Sequence, residues 1–356
     1  MNRTRHAIAA ALAASAFLTS AACSGGGNDR PTPTPPPTLT PSPTETKKPA
    51  PPPKAPPTNP FTGIGRVPKR PTVVVKIDDT APGRPQVGID KADIVYIEAV
   101  EGGLTRLAAV FASQAPKKVG YVRSTRPSDP DLLLQYGKIT EAYSGGAHDS
   151  IPRVHRSGIT SWSMDDGRGY YRRTPHAGDE GYINVVLNVW KVSRHVKTPR
   201  PRKIGWTFAQ GLGHSHLHLY KGKHIHTEVT GSYQHGTPVD FNYRPKLHKY
   251  VRYINGIPQH AADGKLISAT NVIVQSCRVR SHPRDTDIAG NPSQFTYTVG
   301  KGKVSVFRHG NRIRGTWSRQ RLKDGTTLRA KSGKPIPLAP GNTWVVLIRR
   351  GVPVRS

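Results

Sequence analysis

The chain has 356 residues and carries 53 Lys and Arg against 22 Asp and Glu, a formal net charge of +31. Two cysteines are too few for a disulfide scaffold, and the basic surplus points to anionic partners such as nucleic acid, lipid headgroups or cell-wall polyanions. The length allows one large domain or two ordinary ones.

Arg3 and Arg5 open the chain, and Ala7 to Leu18 is an uncharged apolar run. That run is too short to cross a bilayer and the right length for the core of a signal peptide. Ser20-Ala21-Ala22 then stand directly before Cys23. This resembles the bacterial lipobox, in which the cysteine thiol is acylated, although Ser20 replaces the usual aliphatic residue. The alternative is an ordinary signal peptide with a chance cysteine. Residues 1–22 are expected to be the signal peptide, with Cys23 as the lipidation site. The lipid would anchor the chain to the outer face of a bacterial cytoplasmic membrane. Residues 23–62 are rich in Pro and Thr, with too few apolar side chains to offset ordering entropy, and read as a semi-extended tether. Export makes a nucleic-acid partner unexpected. If Cys23 carries lipid, Cys277 has no partner in the chain, and its strand-like setting marks it as a buried structural thiol.

Folded sequence is expected from about Arg70. Thr72 to Ile77, Ile94 to Val100 and Leu104 to Phe111 read as strands, with Gly102-Gly103 as a two-residue turn. That turn would pair Ala99 with Arg106 and set Glu101 and Arg106 diagonally on one face. Residues 131–143 and 181–192 have helical spacing. Beyond residue 200 the signals are short strands between Gly, Asn and Pro turns. The expectation is an α+β fold: a mixed α/β half, residues 70–198, packed with a β-rich half, residues 200–354.

Several short stretches recur together: Ile77-Asp78, Arg84-Pro85-Gln86, Ala92-Asp93-Ile94-Val95-Tyr96, Glu101-Gly102-Gly103, and Val119-Gly120 running to Arg123-Ser124 and Arg126-Pro127. Pro175-His176, Tyr250-x-Arg252, Asn271-Val-Ile-Val and Pro340-Gly341-x-Thr343-Trp344 follow later. The ensemble resembles the YerB-type bacterial lipoproteins, defined by domain of unknown function 3048. Ala177 stands where that family's Pro-His-Asn element has Asn. The resemblance implies a two-part fold and an envelope location, with no reaction attached.

Asp78, Asp79, Arg84, Glu98, Glu101, Arg106, Arg123, Arg126 and His176 stand beside glycines, prolines and strand ends, where sites are usually built. Arginines suit bidentate capture of carboxylate or phosphate, so these residues form a candidate groove for an anionic or glycan component. Structural ion pairing, for example between Asp78 and Arg123, is the other reading. A wall hydrolase using Asp or Glu with His176 is the catalytic alternative. No nucleophile elbow, metalloprotease helix or phosphate-binding loop is present. His214 to Glu228 alternates histidines with other residues. If Lys221-Gly222-Lys223 were a hairpin loop, His216, His218, His226 and Glu228 would share one face and suit zinc or copper. The chain's partners are thus expected to be the membrane, through the lipid, and a cell-wall polymer or anionic headgroups.

Overall fold

The computed structural model describes residues 58–175, 181, 183–230 and 237–356. The signal peptide, Cys23 and the tether up to residue 57 lie outside the described residues. Order begins earlier than residue 70. Thr58 bridges Arg66, and the buried Phe61 meets the Tyr136 ring edge-on at 5.2 Å. Residues 58–62, expected as the end of the tether, are instead held against the fold, because Phe61 has a core to enter.

The first half holds β1 (Val73–Asp78), β2 (Ile94–Ala99), β3 (Thr105–Phe111), β4 (Val119–Gly120), α1 (Asp129–Leu133), β5 (Thr140–Tyr143), α2 (Ser150–Ser157), β6 (Thr160–Ser163), β7 (Tyr171–Arg173), β8 (Val185–Leu187) and α3 (Val189–His195). The second half is almost all strand: β9 (Leu219–Lys221), β10 (His224–Glu228), β11 (Pro238–Arg244), β12 (Lys249–Ile254), β13 (Ile257–Pro258), β14 (Ser268–Ala269), β15 (Asn271–Thr286), β16 (Pro292–Tyr297), β17 (Gly300–Arg308), β18 (Asn311–Arg319), β19 (Thr327–Ala330) and β20 (Thr343–Arg349). The fold is α+β, mixed in its first half and β-rich in its second.

A twelve-stranded sheet unites the halves in the order β19-β18-β17-β15-β20-β2-β3-β1-β5-β6, with β16 and β9 on its flanks. β20 lies parallel to both β2 and β15. The boundary near residue 199 is thus no boundary of the sheet. Alternate residues of the central strands enter opposite cores. Val75, Ile77, Val95, Ile97, Leu107 and Val346 pack with Phe241 and Tyr250 of the five-stranded sheet β10–β14 and with Val189 and Val192 of α3. Val74, Ile94, Tyr96, Val110 and Val345 pack with Leu132 and Leu133 of α1 and Val154 of α2. Burial on both faces explains the uninterrupted apolar runs.

Two local expectations change. The β2–β3 loop has three residues, Glu101-Gly102-Gly103, closed by hydrogen bonds between Val100 and Leu104 and from Leu104 N to Glu101 O. Gly102 and Gly103 do take positive φ, at 61° and 76°. The longer loop slides the register by one, so Ala99 faces Thr105 and Arg106 faces Glu98. The helical reading of residues 131–143 holds only at its start. Thr140 to Tyr143 form β5, which pairs parallel to β1, and β8 likewise interrupts the helical reading of 181–192.

Candidate functional site

Strand alternation sets Val74, Lys76 and Asp78 of β1 on one face, beside Ile94, Tyr96 and Glu98 of β2 and Val110, Ala108 and Arg106 of β3. Apart from Lys76, this face lacks charge until the edge where β1 and β2 end, and there it turns charged. The register puts Arg106 opposite Asp78 on one side and Glu98 on the other. β5 runs parallel to β1 and ends at the same edge. The carboxyl edge of parallel strands is where α/β sheets usually seat ligands.

Three layers of charge meet here. In the first, Asp78 Oδ2 accepts from Arg106 Nη1 at 2.9 Å and lies 3.0 Å from Arg123 Nε, while Asp78 Oδ1 accepts from the Thr80 hydroxyl at 2.5 Å. Burial pushes the Asp78 carboxyl up, but Arg106, Thr80 and Arg123 outweigh it and hold it below the usual range. In the second, Asp79 is gripped by both Nη atoms of Arg252 at 2.8 Å and accepts from Thr105 Oγ1 at 2.7 Å. Arg84 Nη2 donates to the Asp79 carbonyl and lies 3.9 Å from Asp79 Oδ1. Arg252 comes from β12, so this layer ties the halves together. In the third, Arg126 donates to Glu101 Oε2 from Nε at 2.9 Å and Nη2 at 2.5 Å, and Ser293 Oγ caps the other oxygen at 2.6 Å.

Beneath them lies a fully buried group that the site residues chosen from sequence omit: Lys76, Asp129 and Glu141, joined by Glu98. Lys76 Nζ donates to Glu98 Oε1 and, at 2.7 Å, to Asp129 Oδ1. Thr125 Oγ1 bridges Asp129 Oδ2 at 3.0 Å and Glu141 Oε1 at 2.7 Å. Burial lowers the Lys76 ammonium's proton affinity, yet Asp129, Glu98 and Glu141 outweigh it and raise it. Burial and the neighbouring Asp129 push Glu98 up to about 8, against the opposing pull of Lys76. The same two causes lift Glu141 well above the carboxylate range. Asp129 goes the other way, because Lys76 and its hydrogen bonds overcome burial. Three carboxyls around one ammonium cannot all ionise. The balance favours the ionised form at Asp129 and the protonated form at Glu98 and Glu141.

The structure therefore brings Asp78, Arg84, Glu98, Glu101, Arg106, Arg123 and Arg126 together. His176 lies outside the described residues. The gathered residues are mostly interior. Arg84 and Arg123 alone among these seven keep a fifth or more of the side chain exposed, at 20% and 23%. What the sequence presents as a groove is a buried ionic floor with an arginine rim. A lysine inside the run Val73-Val-Val-Lys76-Ile77-Asp78, in phase with Asp78, was the available sign of the lower group.

The histidine hairpin does not form. Leu219–Lys221 joins β18, while His224–Glu228 pairs with β11 in a different sheet. His226 Nδ1 meets Asp240 Oδ1 at 2.7 Å, and His216 Nε2 meets the Pro335 carbonyl at 3.1 Å. His216, His218, His226 and Glu228 are not gathered as zinc ligands. No group of three or more His, Cys, Asp or Glu among the described residues is placed to hold a metal ion. Cys277 is buried on β15, and burial pushes its thiol up to about 12, which suits packing and not nucleophilic attack.

Residues 61–198 match the N-terminal domain, and residues 229–345 the C-terminal domain, of the family described as protein of unknown function DUF3048. The chain belongs to the DUF3048 family. The ionic floor draws on both DUF3048 domains, since Arg252 and Ser293 come from the second. A Bacillus subtilis protein named "Putative lipoprotein YerB" is 27% identical over 308 residues, which is 81% of this chain and 85% of that one. A crystal structure of the YerB protein from Bacillus subtilis matches with a TM-score of 0.69 at 22% identity, covering 84% of this chain and 99% of that one. That likeness is one of fold.

Proposed function

We propose that this chain is a lipid-anchored, non-catalytic envelope protein that captures an anionic component, a wall glycan or polymer bearing carboxylates or phosphates, at the arginine rim. The supporting observation is the arginine rim itself. Four guanidiniums, those of Arg84, Arg106, Arg123 and Arg252, surround the two carboxylates of Asp78 and Asp79. Two of them, Arg84 and Arg123, reach solvent. A carboxylate or phosphate at the rim would meet these guanidiniums with charge-assisted hydrogen bonds. The anchor rests on the sequence around Cys23 and on the name of the Bacillus relative. The hydrolase reading has less behind it, since Asp78, Glu98 and Glu101 are each buried and engaged by a cation.

Co-sedimentation of the detergent-solubilised full chain with cell-wall sacculi tests the proposal. Binding should weaken by about tenfold or more in an Arg84→Ala, Arg123→Ala double variant, at about 1.5–3 kcal/mol per charged hydrogen bond lost. Equal retention of the variant would refute it. Release of soluble wall fragments, abolished by Glu98→Gln, would establish the hydrolase instead.

A further inference from the structure

A second concentration of positive charge lies far along the chain from the ionic floor, around the segment that follows β20. This segment is strapped down at both ends by backbone hydrogen bonds. Arg349 N donates to Val229 O and Arg350 N to Cys277 O, both at 2.8 Å. Arg355 N donates to His226 O at 3.0 Å, and His226 N returns the bond to Arg355 O at 3.1 Å. Between the straps, Arg312 Nη1 holds the Val354 carbonyl at 2.9 Å. The segment is thus fixed in place, and its arginine side chains leave from a rigid base.

Three hollows adjoin it. The largest, about 710 Å³, is lined by Arg349, Arg350 and Arg355 together with His226 and Glu228. A second, about 270 Å³, shares Gly351 and Val352 with the first and adds Lys303 and Arg314. A third, about 120 Å³, shares Arg350 and adds Arg278, whose guanidinium lies 3.8 Å from the centre of the Tyr297 ring. The three hollows share lining residues of this one segment. Among the described residues, Glu228 is the one carboxylate lining any of them. Thr230 also lines the largest hollow. It is 8% exposed, and its Oγ1 has no hydrogen-bond partner among the described residues.

We propose that the largest of these hollows is a binding cleft for a linear polyanion, a polymer with a phosphate or carboxylate at each repeat. Three arginines lining one hollow match a chain of regularly spaced anions, and a single small anion would engage only part of that lining. Guanidiniums offer each phosphate or carboxylate a planar two-point contact. Affinity then comes largely from displaced counterions and falls steeply with salt. The concave shape favours a strand of polymer over a flat lipid surface. This site is separate from the arginine rim and uses none of its residues.

The test titrates the detergent-solubilised full chain with inorganic polyphosphate at several salt concentrations. The expected result is tight binding, with orthophosphate far weaker. An Arg349→Glu, Arg355→Glu double variant should lose at least about tenfold in affinity and about one unit of salt slope per lost contact. Both side chains can be changed without touching the strapping bonds, and circular dichroism confirms the fold. Arg84→Ala, Arg123→Ala should leave polyphosphate binding unchanged, so failure here is distinguishable from failure at the rim. Undiminished binding by the Arg349→Glu, Arg355→Glu protein would overturn the proposal. Equal binding to phosphatidylglycerol vesicles through the same arginines would overturn the polymer assignment.

Discussion

Glu98 sits with Lys76, Asp129 and Glu141 in a space that water does not reach, and its folded-state proton affinity decides how the protein responds to pH. Its ordinary value of 4.5 rises to about 8 on folding, so the folded chain binds this proton more tightly than the unfolded one. The resulting stabilisation is full below about 4.5 and fades as pH climbs toward about 8. Glu141 acts in the same direction. Asp78 and Asp129 have lowered values, so their contribution fades instead in acid. Stability should therefore peak in mildly acidic solution and decline through neutrality. Replacing Glu98 with Gln supplies a permanently neutral side chain of the same shape. Urea midpoints at about pH 5 and about pH 8 should then lie closer together than in the parent protein. An unchanged gap would remove Glu98 from the account.

Among the elements, β20 carries the topology, because it fills the space between β2 and β15. Residues 55–198 expressed alone should be insoluble or lack a cooperative unfolding transition, since β2 would present a buried edge to water. Supplying residues 200–356 in the same cell should restore soluble material, and a cooperative isolated half would contradict the shared sheet. The central strands were legible from sequence because burial on both faces writes β-branched runs such as Val73-Val-Val. Their partners were legible only in part: the pairing of β2 with β3 was visible, but not β20 between β2 and β15. The β2–β3 register slipped by one because Glu101 belongs to the loop, and a loop's length depends on its backbone conformation. His214 to Glu228 failed for a related reason: alternation tells which residues share a face, but says nothing of which strand lies alongside. Thr140 to Tyr143 were hidden inside a helical spacing because the apolar neighbours that make them a strand belong to β1. At the site, the arginines and acids flanked by Gly and Pro were visible. Lys76, Asp129 and Glu141 were not, since only the packed sheet shows that three carboxyls converge on one ammonium.

For the whole molecule, location and charge act together. No helix among the described residues is long and apolar enough to cross a membrane. The proposed lipid at Cys23 predicts that a Cys23→Ser variant moves from the membrane pellet to the soluble fraction. Unchanged pelleting after a high-salt wash would refute the anchor. A salt wash is needed because a net charge of +31 alone binds anionic surfaces.

The position of β20 bears on when this protein can fold. It follows every other described strand in the chain, yet it belongs in the middle of the sheet. Until it arrives, β2 and β15 have no common neighbour, and their facing edges stay unpaired. The central sheet cannot close before β20 has been synthesised. A polypeptide that cannot finish folding early remains threadable, which is the state an export channel needs. For the exported protein proposed above, the same topology that welds the two halves together would keep the chain pliant during transit.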